Sequence, residues 1–167
     1  LSLRKTVWFY EEQTVQGARI KNQLRWLLKE RQIVQSREEK QTLNLIIKEK
    51  KENLRKIVQL RKKLENNLDS LLFQNQAANL TSMRGISTIL AARVIAHTKG
   101  IERFSKIDKF IKYAGIAPLE KSSGKSFRHI RNKKGNRKLN AVFYLAALNQ
   151  LRWNPKAKEY FQKKIKE

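Results

Sequence analysis

The sequence lacks cysteine and is poor in proline, glycine and acidic residues, with two, six and 14 of these in 167 positions. The absence of cysteine excludes disulfides, thiolate zinc sites and a thiol nucleophile. Only two histidines, His97 and His129, are available for an imidazole metal site. No apolar run approaches the roughly 20 residues that a membrane-spanning helix needs, so we expect no integral membrane segment. There is no signal-peptide pattern, and because the chain starts at Leu1 we expect it to be a fragment.

Positive charge dominates what is present. Lysine and arginine number 38, so the formal net charge is +24 (38 − 14). A charge of this size repels itself unless it meets a polyanion, and nucleic acid is the most common one. The range 84–167 carries 21 basic and 5 acidic residues, and the range 121–138 carries eight basic residues and no acidic one. Because this basic segment, 121–138, also contains Ser, Gly and Asn, we predict that it contacts a phosphate backbone.

The first half of the chain predicts long helices. Positions 18–84 contain neither glycine nor proline. A heptad seam runs through this stretch, with basic residues at two of its nine positions and apolar residues at Leu43, Ile47, Leu54, Ile57, Leu64, Leu68 and Leu71. We predict two long helices over 1–80, in a helical hairpin or coiled coil, with a turn or kink near 35–42. One continuous surface helix is the alternative.

The second half, 81–167, predicts a compact helical domain. Helix starts are predicted at Thr81 or Ser82, at a capping box over 105–108, at Asn136 and at Asn154-Pro155; helix ends are predicted at Gly100 and Gly115. A loop is expected from Ala117-Pro118, and no segment reads convincingly as a strand. The predicted fold class is therefore all-α: a long helical hairpin or coiled coil followed by a compact helical domain with helix-hairpin-helix-like features.

Two motifs are candidates for chemistry. Met83 to Ser87 lies between two helical signals and resembles the turn of a helix-hairpin-helix, where a glycine lets backbone amides approach a phosphate; a plain connector explains it equally well. Ser122-Ser123-Gly124 lies in the basic segment, where neighbouring cations could hold a phosphate beside a serine. The carboxylates of the second half are scattered, so we predict no metal site in this chain.

The order of motifs resembles one family. These motifs are Arg84-Gly85-Ile86, Ile101-Glu-Arg-Phe104, Tyr113-Ala-Gly115-Ile-Ala-Pro118, Ser122-Ser-Gly124, Lys134-Gly-Asn-Arg137 and Leu139-Asn140. They resemble the C-terminal domain of the one-ten insertion-sequence family, the DEDD transposases that act as bridge-RNA-guided serine recombinases. The range 1–80 is similar to that family's helix leaving a RuvC-like domain and its coiled coil. The range 81–167 is similar to its transposase domain with the catalytic serine loop.

The resemblance implies a function and a set of residues. The family's serine attacks a DNA phosphate, and it matches Ser123 here, with Ser122 as the fallback. The resemblance, together with the local charge and the turn at Gly85, predicts these nucleic-acid contacts: Arg84, Gly85, Lys121, Lys125, Arg128, His129, Arg131, Lys133, Lys134, Asn136, Arg137 and Lys138. Many members have arginine where this sequence has Asn140, so we predict no catalytic arginine there.

The resemblance also implies partners. We expect donor and target DNA, a guide RNA, and a homo-oligomer formed through the coiled coil, in the cytoplasm of a prokaryote and on its nucleoid when DNA is bound. Mg²⁺ is expected in the RuvC-like domain, which this sequence lacks, so we expect the chain alone to be inactive. The alternatives are a non-catalytic helix-hairpin-helix nucleic-acid-binding protein and, less well supported, a basic protein on anionic membranes.

Overall fold

The computed structural model describes residues 2–74, 78–123, 126–130, 132 and 134–166. The chain divides into two compact units, Leu1–Ser70 and Leu71–Glu167. Across the described residues there are seven helices and one two-stranded sheet. The predicted all-α class with a long helical hairpin is confirmed, apart from that small sheet. Within these same ranges, no helix is long and apolar enough to cross a membrane.

The first unit is built from two long helices. Helix α1 spans Leu3–Ile33 and helix α2 spans Arg37–Gln74, with a break at 34–36. The predicted pair of helices is therefore confirmed, and the single continuous helix is wrong. The break falls at the start of the polar stretch where the apolar pattern lapses, because a helix without an apolar stripe gains little from packing.

The heptad seam of α2 packs against α1 within the chain. Leu24 and Leu27 of α1 and Ile47 of α2 form a buried cluster, and further apolar side chains pack on it: Ile20, Leu43 and Leu54. Gly17 of α1 lies opposite Ile57 of α2, where the two helices are in contact. The seam that predicted a coiled coil therefore closes a helical hairpin, and pairing of protomers through it stays a prediction.

One basic seam position is explained by its partners. The Arg61 guanidinium donates a hydrogen bond to the Tyr10 hydroxyl at 2.7 Å and lies 4.9 Å from the centre of that ring. The Tyr10 hydroxyl donates in turn to Glu65 Oε1 at 3.0 Å. Because these contacts link α1 to α2 at one position along their length, they help to set the register of the helical hairpin.

The second unit is a small helical domain that carries a β-hairpin. Its elements are α3 (Ala78–Thr81), α4 (Thr88–Thr98), α5 (Ile107–Ala114), β1 (Leu119–Ser123), β2 (Ser126–Ile130), α6 (Arg137–Trp153) and α7 (Pro155–Lys166). Its core lies between α4 and α6, where small and branched side chains are completely buried: Ala91, Ala92, Leu139 and Val142. Edge-to-face aromatic contacts join Phe104 to Phe110 and Phe110 to Phe143, which connects α5 to α6.

Three of the predicted helix boundaries are confirmed by their capping contacts. Asn136 Oδ1 accepts hydrogen bonds from two backbone N–H groups in the first turn of α6, both at 3.1 Å. Asn154 Oδ1 accepts from the Lys156 N–H, directly after the proline that opens α7. Gly115 ends α5 in the left-handed conformation, with φ of 72°.

Two other predicted helix starts are wrong, and the predicted helix end at Gly100 is displaced by one residue. The cap of α4 is Ser87, whose hydroxyl accepts from the Leu90 N–H at 3.4 Å, and not Thr81 or Ser82. Helix α5 begins after Lys106 without a side-chain capping bond, so the predicted capping box does not form. Helix α4 ends at Thr98, one residue before the left-handed Lys99, and Gly100 follows with a positive φ of its own.

The β-hairpin contradicts the prediction that no strand occurs. Strands β1 and β2 pair antiparallel over 119–123 and 126–130, where the sequence predicted a loop. Every residue of β2 is exposed, so neither face shows the apolar alternation by which a half-buried strand is recognised. The antiparallel pairing of the two strands defines this element, and the side chains of β2 are exposed to solvent.

Candidate nucleic-acid interface and serine site

The register of the β-hairpin places the two candidate serines on opposite faces. Ser122 pairs with Phe127, and Ser123 pairs with Ser126. Side chains alternate between the faces along a strand, while paired residues share a face. Both serines are exposed, so each hydroxyl is open to a ligand from its own side only.

The two faces differ in charge. Ser123 shares its face with Ser126 and with Arg128, the next residue on that side of β2. Ser122 shares its face with the carboxylate of Glu120 and with the Phe127 and His129 rings, whose centres are 4.9 Å apart. An anion approaching Ser123 therefore meets a guanidinium, whereas one approaching Ser122 meets a carboxylate.

Three hydrogen bonds close the base of the β-hairpin. The Asn136 N–H donates to the Tyr113 carbonyl at 2.8 Å, and Asn132 Nδ2 donates to the Lys112 carbonyl at 3.1 Å. Asn140 Nδ2 donates to the Gly115 carbonyl at 2.9 Å. These bonds join the chain leading into β1 to the chain leaving β2, at the end of α5 and the start of α6.

The contact between the end of α5 and the chain leaving β2, which we call the junction, depends on two glycines, Gly115 and Gly135. A Cβ atom built on Gly135 would lie 2.3 Å from Gly115 Cα and 2.6 Å from Gly115 N. Carbon atoms in van der Waals contact are normally about 3.5–4.0 Å apart, so no side chain fits at position 135. Gly115 has the additional requirement of a positive φ, which glycine adopts without strain.

Tyr113 and Asn136 form a hydrogen-bonded pair at the same junction. Asn136 Nδ2 donates to the Tyr113 hydroxyl at 3.0 Å, and that hydroxyl donates to the His97 carbonyl at 3.3 Å. Both polar ends of the Asn136 side chain are therefore engaged, one in the α6 cap and the other with Tyr113. This side chain supports the junction from within.

Positive charge surrounds the Tyr113 ring. The Arg103 guanidinium lies 4.3 Å from its centre. Burial alone raises the pKa of Tyr113, but its net pKa lies below the usual 10.0. The hydrogen bond from Asn136 and the charge of Arg103 lower it, and Lys99 adds to the effect. The cause is stabilisation of the phenolate by a donor and by nearby cations.

Comparison with known proteins now bears on this arrangement. Residues 77–162 match the model of the transposase IS116/IS110/IS902 family. That range is more than half of the chain and contains the β-hairpin, its junction and both serines. The chain belongs to this transposase family.

Two curated relatives agree with the assignment. The chain is similar to the uncharacterized 42 kDa protein of insertion element IS900 from Mycobacterium paratuberculosis, with 32% identity over 87 residues. It is also similar to the uncharacterized 43.6 kDa protein of insertion element IS110 from Streptomyces coelicolor, with 27% identity over 124 residues. These alignments cover 51% and 73% of this chain but only 22% and 31% of the relatives. The resemblance predicted from the sequence is thus confirmed at the level of the family.

The family's basic segment is only partly visible in the structure. Arg128 and His129 lie on opposite faces of β2, and Lys134, Arg137 and Lys138 are exposed around the start of α6. Three predicted contacts lie outside the described residues, as does the glycine after the serines: Lys125, Arg131, Lys133 and Gly124. Lys121 pairs with Arg128 in the strand register, and its side chain is likewise outside the described part.

The predicted phosphate-binding turn at Gly85 is occupied by contacts with α6. The Gly85 carbonyl accepts from Asn149 Nδ2 at 2.9 Å, and a Cβ atom at position 85 would lie 3.0 Å from Asn149 Cβ. Arg84 donates to the Trp153 carbonyl at 3.3 Å, and its own carbonyl accepts from Gln150. These contacts favour the plain connector, and phosphate binding at this turn stays a prediction.

Sequence reasoning missed the roles of several residues that build the junction. Tyr113 and Gly135 entered the argument only as letters of a family motif, Gly115 entered it only as a helix end, and Asn132 did not enter it. The available signal was the density of Asn and Gly on both sides of the β-hairpin, because amides bond to backbone and glycine permits close approach.

A metal site is not built from these residues. Within the described ranges, no group of three or more His, Asp or Glu side chains is placed to hold a metal ion. The predicted absence of a metal site in this chain stays a prediction, because Mg²⁺ can be bound by one or two carboxylates together with substrate phosphates.

Proposed function

We propose that this chain is the serine-bearing, nucleic-acid-binding part of an insertion-sequence transposase. Membership of the IS116/IS110/IS902 family supports the transposase role. The net charge of +24 supports binding to DNA and RNA, since neutralising phosphates is the main source of non-specific affinity. Because the chain spans less than a third of either curated relative, the complete reaction would involve further residues.

In this proposal Ser123 is the nucleophile. Its Oγ attacks a DNA phosphorus, the Oγ–P bond forms as the bond from phosphorus to the leaving sugar oxygen breaks, and the strand is held as a phosphoserine. The serine proton passes to a base, and the leaving oxygen takes up a proton. A cation beside the phosphate lowers the barrier by offsetting the negative charge that builds up in the transition state.

The strand register is the observation that favours Ser123 over Ser122. Ser123 pairs with Ser126 on the face that carries Arg128, whereas the face of Ser122 carries Glu120. The Glu120 carboxylate repels a phosphate and the Arg128 guanidinium attracts it, and water screens both effects because the two side chains are exposed. A phosphate therefore approaches Ser123 more favourably than Ser122.

The remaining parts of the proposal concern partners. We propose that a guide RNA specifies the DNA target, that copies of the protein assemble on one synapse, and that Mg²⁺ is bound by a RuvC-like domain outside these residues. The seam of α2 is already packed on α1, so assembly would use other faces of the helical hairpin. Exposed apolar side chains on α2, Leu45 and Val58 among them, are available for this.

The decisive experiment compares three serine variants in the complete transposase. Ser123→Ala should abolish both recombination and the covalent protein–DNA adduct that remains after denaturation. Duplex affinity should change less than twofold, because a hydroxyl contributes little to electrostatic binding. Ser126→Ala is the matched control, since it removes an exposed hydroxyl from the same face of the same β-hairpin.

Ser122→Ala decides between the two candidates. We expect it to retain the adduct, although at a reduced rate because the neighbouring residue has changed. An adduct that survives in Ser123→Ala and disappears in Ser122→Ala would transfer the role to Ser122. If recombination persists in both variants and in the double variant, serine catalysis by this β-hairpin is wrong.

A further inference from the structure

We propose that a polar pocket beside the β-hairpin junction binds one unpaired nucleotide, with its base against Tyr144 and its phosphate at Arg137. The inference rests on the proposed nucleic-acid-binding function and extends it by naming the form of nucleic acid that is bound. The pocket is separate from the two serines. It lies between the first two turns of α6 and the backbone at Gly115 and Gly135.

The wall formed by α6 presents a single stripe of side chains. Arg137, Asn140, Ala141 and Tyr144 are spaced three, four and seven residues from the first, so they lie on one face of the helix. Ala141 is small and leaves depth between the longer side chains. The cavity has a volume of about 800 Å³, within the range of roughly 300–1,000 Å³ typical of small-molecule sites.

The opposite wall is held by backbone contacts and hydrogen bonds. It consists of the Gly115–Gly135 contact and of Asn132, whose amide is bonded at both its nitrogen and its oxygen. Asn132 Nδ2 donates to the Lys112 carbonyl, and its Oδ1 accepts from the Lys134 N–H at 3.0 Å. A wall held in this way keeps its shape without a ligand, which reduces the entropic cost of binding.

Polar groups on the α6 side remain available. Among the described residues, neither the Arg137 guanidinium nor the Tyr144 hydroxyl has a hydrogen-bond partner. Asn140 uses Nδ2 on the Gly115 carbonyl, which fixes the amide plane and leaves Oδ1 as an oriented acceptor. The pocket thus offers a cation, an acceptor and an aromatic ring that is 63% exposed.

This combination matches a nucleotide better than other anions. Arg binds phosphate through paired N–H groups, an exposed aromatic ring stacks on a base, and an amide oxygen accepts from the N–H groups of a base edge. A base inside a duplex cannot reach the pocket, because its faces are covered by its neighbours. The ligand must therefore be unpaired, as in a bulge, a loop or a single strand.

The test measures binding of the 167-residue chain to a fluorescein-labelled duplex that contains one unpaired adenosine, and to the fully paired duplex. The readout is fluorescence anisotropy at one salt concentration. We expect the wild-type chain to prefer the bulged duplex. We expect Tyr144→Ala to weaken binding to the bulged duplex by roughly 5- to 150-fold, the loss typical of removing one base–aromatic stacking contact. Binding to the paired duplex should weaken less than twofold.

The controls separate stacking from folding. Tyr160→Ala on α7 removes a tyrosine with the same exposure, 64%, from a site away from the pocket, and should not alter the preference. Tyr144→Phe keeps the ring and should retain at least half of the preference for the bulged duplex. Bulged RNA and bulged DNA are run in parallel, and the tighter of the two identifies the natural source of the nucleotide.

The outcomes distinguish this inference from the proposed function. If the wild-type chain binds bulged and paired duplexes equally, or if Tyr144→Ala and Tyr160→Ala lose the same affinity, the pocket is not a nucleotide site, while serine chemistry stays untouched. If the wild-type chain binds no nucleic acid at all, both proposals are overturned together.

Discussion

Replacing Gly135 by alanine tests whether the glycine contact holds the junction beneath the β-hairpin. The added Cβ would lie 2.3 Å from Gly115 Cα, so the two backbones must separate by more than 1 Å to reach the normal contact distance of about 3.5 Å. The atoms nearest to this Cβ belong to the backbone of Ala114 and Gly115, which cannot rotate away as a side chain would. The backbone at position 135 has no positive φ, so steric contact alone sets the cost.

The expected destabilisation is the sum of two effects. Forcing extra volume into a packed site costs about 1–3 kcal/mol. Separating the backbones also lengthens the bond from the Asn136 N–H to the Tyr113 carbonyl, now 2.8 Å, and a typical hydrogen bond contributes about 1 kcal/mol. The free energy of opening at the junction should therefore fall by about 2–4 kcal/mol.

Native-state hydrogen exchange measures this quantity at individual amides. In Gly135→Ala, the amides of Asn136 and Asn140 should lose protection by that amount. Gly17→Ala is the matched control, because a Cβ there meets Ile57 Cγ2 at an ordinary 3.4 Å. Alanine is favoured over glycine inside a helix by roughly 0.5–1 kcal/mol, so protection in α1 should rise. Junction protection in Gly135→Ala within 0.5 kcal/mol of wild type would refute the reasoning.

Four further substitutions test single contacts. Asn136→Ala removes the α6 cap and the bond to Tyr113, and urea denaturation should show a loss of about 2–3 kcal/mol. Tyr10→Phe removes two hydrogen bonds of the helical hairpin and should cost about 1–2 kcal/mol in the same assay. Tyr113→Phe should lose more stability relative to wild type as pH rises toward 10. The pKa of the Tyr113 phenol is lower in the folded than in the unfolded chain, so its ionisation stabilises the fold fully above the unfolded pKa. This stabilisation is lost as pH falls through the folded pKa. Arg128→Ala should reduce the slope of log affinity for duplex DNA against log salt by about 0.9.

Three controls accompany these four substitutions. Asn136→Asp keeps the acceptor that caps α6 and should recover about half of the lost free energy. Tyr160→Phe changes an exposed tyrosine and should leave stability unchanged at every pH. Arg128→Lys keeps one positive charge and should restore the salt slope. A gap between Tyr113→Phe and wild type that is constant with pH would contradict the pKa argument, and an unchanged slope in Arg128→Ala would remove that residue from the interface.

The sequence predicted well those elements whose signal is periodic or local. The seam from Leu43 to Leu71 predicted a long helix with a partner, because an apolar stripe must be buried. Asn136 and Gly115 predicted the start of α6 and the end of α5, since each acts through backbone groups only a few residues away. What the seam packs against was not predictable, because a partner in the same chain and one in a second copy give the same pattern.

The β-hairpin and its junction escaped prediction for a physical reason. The residues of β1 and β2 are mostly polar and exposed, so their sequence does not show the alternation of apolar and polar residues that marks a half-buried strand. The Gly115–Gly135 contact joins positions 20 residues apart, and a glycine at either position looks like ordinary loop punctuation. The cap at Ser87 was missed because two other hydroxyls, Thr81 and Ser82, precede the same apolar stretch and are equally suited to capping a helix.

Hydrogen bonds at the junction restrain the basic segment, where positive charge is concentrated. A loop rich in lysine and arginine repels itself and would spread over many conformations, which would cost binding energy when a ligand fixes one of them. Here Asn132, Asn136 and Asn140 tie the chain leaving β2 to the end of α5, from which the chain runs into β1, while the strands carry two exposed serines. A nucleophile has to meet its phosphate within a few tenths of an ångström, so an anchored base with an open tip suits this task better than a longer and more highly charged loop.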